Sequence, residues 1–203
     1  MSRRQIDYYF WLNSDWAYLG AERLRDLAAR QGAAIRYLPV DLPAVYARTG
    51  GVLLGQRAPE RQAYRIVELE RWCRKLGIAV EPTPAFMCPN ADLASRLFIA
   101  AQQLGADQHG LHQAILRAEW CEQRDISDAA TLHDILAAQG LDVPAVVARA
   151  GQPGIEAEYR RNTDAAVAAG VFGSPSYLYA GELFWGQDRL DMLEQAIADD
   201  REG

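Results

Sequence analysis

The segment GVFGSPSYLYAGELFWGQDRL, residues 170–190, decides the fold of this chain. Two short runs rich in aromatic and aliphatic residues, SYLY and ELFW, flank the turn-forming pair Ala180 and Gly181, a pattern typical of a β-hairpin. Apolar residues then recur at helical spacing over residues 187–199, with Asp188 as the natural N-cap. The chain is therefore predicted to end as strand, strand, helix.

The beginning of the chain predicts the other half of the same unit. Residues 5–12 (QIDYYFWL) are rich in aromatic residues and contain no Gly or Pro, which favours a buried strand. The polar residues 13–15 precede a helical pattern over residues 16–30. Apolar and polar residues alternate over residues 33–40, which predicts a second strand. The chain is therefore expected to open as a βαβ unit.

The middle of the chain shows helical periodicity almost without interruption. The predicted helices cover residues 59–76, 91–104 with Asn90 as N-cap, 108–122, a stretch capped by Ser127 or Asp128, a short stretch at Pro144, and 153–169.

The order βαβ, helical block, ββα is that of an α/β protein with a thioredoxin-like fold and an all-helical insertion. We expect residues 1–50 and 165–203 to form a discontinuous thioredoxin-like domain, and residues 51–164 to form the insertion domain.

Composition limits the class of partner. Half of the 203 residues are hydrophobic, enough for a sizeable core, and the net charge of −6 disfavours nucleic acid and anionic membranes. No apolar run approaches the ~18 residues of a membrane span, and the first ten residues lack a signal-peptide pattern. We expect a cytoplasmic protein that binds a small molecule or another protein.

Cysteine and histidine give little sign of a metal or redox site. Cys73, Cys88 and Cys121 form no C-x-x-C pair, which favours buried reduced thiols over a disulfide framework or a zinc site. The three histidines all lie in the helical block, so no Ser-His-Asp order is evident; they are interpreted as structural, and we expect no metal: His109, His112 and His133.

The turn before the first helix is the first candidate site. Helix N-terminal amides stabilise an anion or a thiolate, and the Ser14 hydroxyl adds a directed donor. The alternative interpretation is that Ser14 or Asn13 is only a helix N-cap. A serine without an adjacent base is a poor nucleophile, so a functional Ser14 is expected to donate a hydrogen bond rather than attack.

Two further candidates lie near the end of the chain. Pro175 follows a Gly-containing turn and precedes a strand; a cis Ser174–Pro175 bond would present the Ser174 backbone to an extended peptide, and a trans bond is equally compatible with the sequence. Asp188 either only caps a helix or pairs with a ligand ammonium group.

These features together resemble the 2-hydroxychromene-2-carboxylate isomerase family, in the group that includes kappa-class glutathione transferases and DsbA-type proteins. The resemblance spans nearly the whole chain and rests on four segments: YFWLNSDWAYLG (9–20), GQRAPERQAYRIVELERW (55–72), RAEWCEQRDISD (117–128) and the segment 170–190.

The resemblance implies a glutathione site at the start of the first helix. Ser14 replaces the first cysteine of the disulfide oxidoreductases, and its hydroxyl would hydrogen-bond the glutathione sulfur. The positions that match glutathione contacts in relatives are Ser14, Asp15, Trp16, Arg61, Ser174, Gln187 and Asp188.

This sequence departs from the family pattern twice. Asp15 stands where relatives often have proline. Its negative charge near the proposed thiolate would raise the pKa of the glutathione thiol. Gly51 stands where the transferases have asparagine. For the substrate pocket we expect Arg57 as a carboxylate contact, Tyr64 as an oxyanion contact and Phe86 as pocket wall or core.

The implied reaction is a reversible conjugate addition in which the glutathione thiolate adds to the ring-opened enone, the former double bond rotates, and glutathione is returned. Two alternatives stay open: a kappa-like transferase that consumes glutathione, and a non-catalytic glutathione- or peptide-binding module. Disulfide exchange is disfavoured unless Cys88 or Cys121 faces the Ser14 turn. Relatives form dimers, so a homodimer is expected.

Overall fold

The computed structural model describes residues 4–200. Within that range the strands are β1 (Gln5–Phe10), β2 (Ala34–Pro39), β3 (Ser176–Tyr179) and β4 (Glu182–Trp185). The helices are α1 (Asp15–Gln31), α2 (Leu42–Thr49), α3 (Pro59–Leu76), α4 (Asp92–Gln103), α5 (Gln108–Trp120), α6 (Ala129–Ala138), α7 (Val143–Ala150), α8 (Pro153–Ala168) and α9 (Leu190–Asp199). Leu54–Gln56 and Gln187–Arg189 form 3₁₀ turns.

The strands form one mixed sheet in the order β2-β1-β3-β4. β1 pairs with β2 in parallel, with Tyr8 opposite Tyr37, because α1 carries the chain back to the same edge. β3 pairs antiparallel with both β1 and β4, and Tyr177 lies between Tyr8 and Phe184. The predicted thioredoxin-like fold with a helical insertion is confirmed.

Two predicted N-caps are wrong. Ala91 occupies the N-cap position of α4. Asn90 lies one residue before it, and its side-chain oxygen accepts a hydrogen bond from the Asp92 N–H at 2.9 Å. Asp188 does not cap α9, because it lies in the preceding 3₁₀ turn and its carboxylate pairs with the Arg189 guanidinium at 2.6 Å. In both cases the polar residue marks the helix start but serves the turn before it.

The helical block packs onto the sheet through α4, α5 and α8. α8 contacts α2, α4 and β2, so the expected domain boundary between residues 164 and 165 falls inside a helix that joins both parts. All strands of the described range lie within residues 1–50 and 165–203. The division into two domains stays a prediction.

An aromatic cluster forms the centre of the core. Tyr8 and Phe10 on β1 stack with ring centroids 4.8 Å apart, and Phe10 meets the His112 ring of α5 edge to face at 4.6 Å. His112 is fully buried, and its Nε2 lies 3.2 Å from the Tyr8 hydroxyl. Burial lowers the pKa of His112 to about 3, so it is neutral and structural, as expected.

The cysteines are free and differ in burial. Cys73 and Cys88 are half-buried, but the expectation of buried thiols is wrong for Cys121, which is exposed and lies 3.3 Å from the Tyr18 hydroxyl. Within residues 4–200 no His, Cys, Asp and Glu side chains cluster in a way that could hold a metal ion. No helix of this described range has the length and apolar character needed to cross a membrane.

Gly20 lies where α1 packs tightly against Tyr177 of β3 and Gln187 of the 3₁₀ turn before α9. A Cβ there would lie 2.9 Å from both the Gln187 Cβ and the Tyr177 hydroxyl oxygen. We expect Gly20→Ala to reduce the free energy of unfolding by about 1–3 kcal/mol through overpacking, measured by urea denaturation. Gly154→Ala on α8, where a Cβ meets nothing within 4 Å, is the control and should be neutral or stabilising. An equal loss in both variants would contradict this account.

Candidate functional site

A cavity of about 780 Å³ opens beside the first turn of α1. Its walls come from the end of β1, the start of α2, the 3₁₀ turn Leu54–Gln56, the first turns of α3 and the segment before α4. The volume lies within the ~300–1,000 Å³ typical of small-molecule sites. The cavity is therefore large enough for an organic ligand of several functional groups.

Ser14 is a buried residue that lines this cavity. It is the N-cap of α1, and its hydroxyl oxygen accepts a hydrogen bond from the Ala17 N–H at 3.2 Å. The same hydroxyl donates to the Ser174 carbonyl at 3.3 Å. Ser14 is thus a helix cap, as one interpretation held, and it also borders the cavity, as the other required.

Ser174 comes to the site from the far end of the chain. The Ser174–Pro175 peptide bond is cis, which decides between the two forms that the sequence left open. The Ser174 hydroxyl oxygen accepts a hydrogen bond from the Trp11 N–H at 2.9 Å, which ties it to the end of β1. Ser174 also lines the cavity next to Ser14.

The first amides of α1 are partly occupied. The Trp16 N–H donates to the Asp15 carboxylate at 2.8 Å, and the Ala17 N–H donates to Ser14. Among the hydrogen bonds of residues 4–200, none uses the Asp15 N–H. One helix amide beside Ser14 is therefore available to an anion.

Asp15 and Arg65 form a buried ion pair in the lining of the cavity. An Arg65 guanidinium nitrogen lies 2.6 Å from a carboxylate oxygen of Asp15, and both side chains are 8% exposed. Arg65 also donates to the Pro82 carbonyl at 3.0 Å and lies over the Trp120 ring at 5.3 Å. Burial raises the pKa of Asp15, while Arg65 and the Trp16 N–H oppose the rise. The Asp15 charge is thus balanced inside the pair.

Glu119 is a second buried acid close to this pair, and the sequence analysis missed it. Its side chain is fully buried and accepts a hydrogen bond from the Cys88 N–H at 3.2 Å. Burial raises the pKa of Glu119 to about 9, so its carboxyl group is protonated at neutral pH. The available signal was spacing, since Glu119 follows Leu111 and Ile115 at four-residue steps on the apolar face of α5.

Cys88 lines the same cavity as Ser14. Burial, followed by the nearby Glu119, raises the pKa of the Cys88 thiol to about 12. A protonated thiol is not a nucleophile. Cys88 therefore does not revive the disulfide-exchange interpretation, although it faces the same cavity as Ser14.

Arg57 also borders the cavity. Its Nε donates to the Val52 carbonyl at 2.9 Å, and its guanidinium lies 3.4 Å from the Tyr46 hydroxyl. No carboxylate of the described residues pairs with it, in contrast to Arg65. Arg57 is therefore a cation with charge to offer a ligand.

Gly51 stands beside Tyr46 at the rim. A Cβ on Gly51 would lie 2.1 Å from the Tyr46 ring, so an asparagine there would require the ring to move. The tyrosine ring occupies the space beside the glycine and lines the cavity.

The cavity brings together only part of the predicted site. Ser14, Asp15, Trp16, Arg57 and Ser174 line it.

The remaining predicted site residues lie outside the cavity lining. Arg61 and Tyr64 are exposed on α3, and Phe86 is 43% exposed, so Phe86 is not a core residue. Gln187 is buried and accepts from Arg23 at 2.5 Å, while Asp188 is exposed.

Comparison with known proteins shows consistent relationships. The DSBA-like thioredoxin domain family matches residues 5–198. A 2-hydroxychromene-2-carboxylate isomerase of Sphingobium xenophagum is 31% identical over 97% of this chain and 99% of its own length. One of Pseudomonas putida is 30% identical over 95% of this chain and 93% of its own.

Solved structures give the same relationship in three dimensions. A 2-hydroxychromene-2-carboxylate isomerase structure superposes with a TM-score of 0.81 at 29% identity, covering 96% of this chain and 95% of its own. The cytosolic disulfide reductase DsbM of Pseudomonas aeruginosa with GSH superposes with a TM-score of 0.64 at 17% identity, covering 96% of this chain and 99% of its own. At that identity the second match shows the fold alone.

The buried pair predicts a pH-dependent mutational effect. Arg65→Met leaves the Asp15 carboxylate buried without its partner, so we expect a loss of about 3–5 kcal/mol in the free energy of unfolding at pH 7. Near pH 4 the loss should shrink. Without Arg65, the pKa of Asp15 in the folded variant rises further above its value in the unfolded chain. As the pH falls, the folded variant therefore takes up a proton first and no longer buries an unpaired charge.

Urea denaturation of both proteins at the two pH values measures this difference. The double variant Asp15→Asn/Arg65→Met is the control and should recover most of the stability lost at pH 7. A loss of the same size at both pH values would show that the Arg65 contacts to Pro82 and Trp120, rather than the ion pair, account for the effect.

Proposed function

The chain belongs to the DSBA-like thioredoxin family and, within it, to the 2-hydroxychromene-2-carboxylate isomerases, and we propose that it isomerises this compound with glutathione as cofactor. One observation carries the proposal: a serine, Ser14, caps α1 at the cavity where the fold's oxidoreductases carry a cysteine. A serine cannot form a disulfide, so the reacting sulfur has to come from a bound thiol.

The residues around Ser14 fit a tripeptide thiol. The Ser14 hydroxyl and the Asp15 N–H are two donors at the positive end of a helix, where a thiolate is stabilised. The Ser174 carbonyl, held by the Ser14 hydroxyl at 3.3 Å, can accept a ligand amide when that hydroxyl turns to the sulfur. The carried-over contacts at Arg61, Gln187 and Asp188 stay predictions.

When bound, glutathione supplies a thiolate for reversible addition to the ring-opened enone, which makes the former double bond a rotatable single bond. The chain provides the environment for this chemistry. Ser14 holds the sulfur by a hydrogen bond, and the balanced Asp15–Arg65 pair adds little net charge beside it. The Asp15 N–H is fixed by the first turn of α1, so this donor needs no reorganisation as charge develops, whereas the Ser14 hydroxyl has to turn from the Ser174 carbonyl.

The rest of the cavity suits an aromatic carboxylate. Trp11, Leu54 and Met87 give it apolar walls for a ring system. Arg57 lines the cavity and has no carboxylate partner in the described residues, which supports our proposal that it binds the substrate carboxylate. Protein groups would thus orient both reactants in one cavity.

The proposal extends to the cellular setting. We place the protein in the cytoplasm, since its three cysteines are free and a thiol cofactor suits a reducing compartment. We also propose a homodimer, as the family resemblance implies, and sedimentation velocity would measure the mass in solution.

Ser14 provides the first test. We expect Ser14→Ala to lower kcat/KM for glutathione-dependent isomerisation by about 10- to 100-fold, the value of one charge-assisted hydrogen bond. Ser14→Gly also lacks the hydroxyl but keeps most of the N-cap stability, so it should lose activity without the stability loss of Ser14→Ala.

Product absorbance and free thiol should be followed together in this assay. Constant thiol with turnover supports the isomerase, thiol consumption indicates the transferase, and binding without turnover indicates the non-catalytic module. Full activity in Ser14→Gly would overturn the role of Ser14.

Arg57 provides the second test. Arg57→Gln should raise KM for the carboxylate substrate by about 10-fold or more, while KM for glutathione changes less. Arg71→Gln, which removes an exposed cation from the outer face of α3, is the matched control. Equal effects of both variants on KM would point to general electrostatic attraction instead of a specific contact.

A further inference from the structure

The segment between α3 and α4, residues 78–91, forms one wall of the cavity, and we call it the wall loop. Thr83 and residues 87–91 of this loop line the cavity. It contains no helix or strand, so its shape depends on bonds to neighbouring elements. A cavity wall without regular structure needs such bonds to stay in place.

The end of α5 supplies most of these bonds. The wall loop is tied at four points to the last turn of this helix and to the turn that follows it. The bonds join Cys121 Sγ to Ala79 O (3.2 Å), Glu81 N to Trp120 O (2.7 Å), Ala85 N to Gln123 Oε1 (3.1 Å) and Cys88 N to Glu119 Oε1 (3.2 Å).

Of the four bonds, the one to Glu119 holds a loop residue, Cys88, that lines the cavity together with Ser14. Cys88 has a φ of +49°, in the left-handed region that favours glycine, so the turn there needs support. The next carbonyl, that of Pro89, accepts a hydrogen bond from the Asn13 side chain. Asn13 directly precedes Ser14, so this part of the wall loop is bonded both to α5 and to the turn before α1.

We propose that Glu119 is a positioning residue: its buried side chain fixes the left-handed turn at Cys88 and so presents Pro89 to Asn13, beside Ser14. Glu119 does not line the cavity and acts only through the wall loop. Its role in catalysis rests on the proposed function, whereas its hold on the loop does not.

The cost of burying Glu119 supports this role. Its second oxygen has no hydrogen-bond partner among the described residues, and a buried polar group without partners is unfavourable. The charged groups that face it are Asp15, Arg65 and Asp125, together with the Cys88 thiol. An apolar residue would fill this position at lower cost but could not accept the Cys88 N–H.

Hydrogen exchange tests the hold on the loop without substrate or glutathione. In Glu119→Leu the Cys88 amide should exchange at least about 10-fold faster, since one hydrogen bond is lost. Glu119→Gln retains an acceptor oxygen and should restore protection. Glu122→Leu, at an exposed position in the turn after the same helix, is the control and should leave the Cys88 amide protected.

Kinetics test the consequence for the site. Glu119→Leu should raise KM for glutathione by about three- to tenfold with a smaller change in kcat, and Glu119→Gln should recover most of it. Asn13→Ala removes the opposite tether and should have the same effect; it serves as the second variant if Glu119→Leu does not fold.

The outcomes separate the two proposals. Unchanged Cys88 exchange in folded Glu119→Leu overturns the positioning role, whatever the activity. Faster exchange with unchanged KM overturns the link to the cavity. If the Cys88 amide exchanges faster in Glu119→Leu but the unsubstituted protein has no isomerase activity, the role of Glu119 in holding the loop is supported and the proposed function is refuted.

Discussion

The pairing of β1 with β3 is the constraint on which the site depends. It brings the first strand of the chain against a strand from its last quarter, and the Ser14–Ser174 hydrogen bond then joins residues 160 positions apart. Neither the helix terminus nor the Ser174–Pro175 turn forms the site alone. Contacts of such long range form only when the fold is complete. In sequence, the helical block lies between the two segments that these contacts join.

Local patterns predicted the elements well where the chain's own chemistry determines them. The hairpin has its predicted bounds because Ala180 and Gly181 both take left-handed φ values, 49° and 85°, as a tight hairpin turn requires. The N-cap positions of α4 and α9 were each missed by one residue, because a polar side chain can serve the preceding turn equally well.

The site was predictable only in part. Ser14 and Ser174 were identifiable from turns and a family resemblance, but Tyr64 and Arg65 are adjacent on α3 and only packing decides which one points inward. Glu119 was hidden for a similar reason, since a single acid on an apolar helix face does not reveal its partner 31 residues away. The wall loop, which connects Glu119 to the cavity, shows no helical or strand periodicity from which its shape could be predicted.

Three of the five tryptophans, Trp11, Trp16 and Trp120, line the cavity. A ligand that enters this cavity therefore changes the surroundings of most of the indole rings, among them Trp120, which has the Arg65 guanidinium 5.3 Å from its ring centroid. The native chain thus carries its own optical reporter of cavity occupancy, and no attached dye is needed to follow a ligand as it enters.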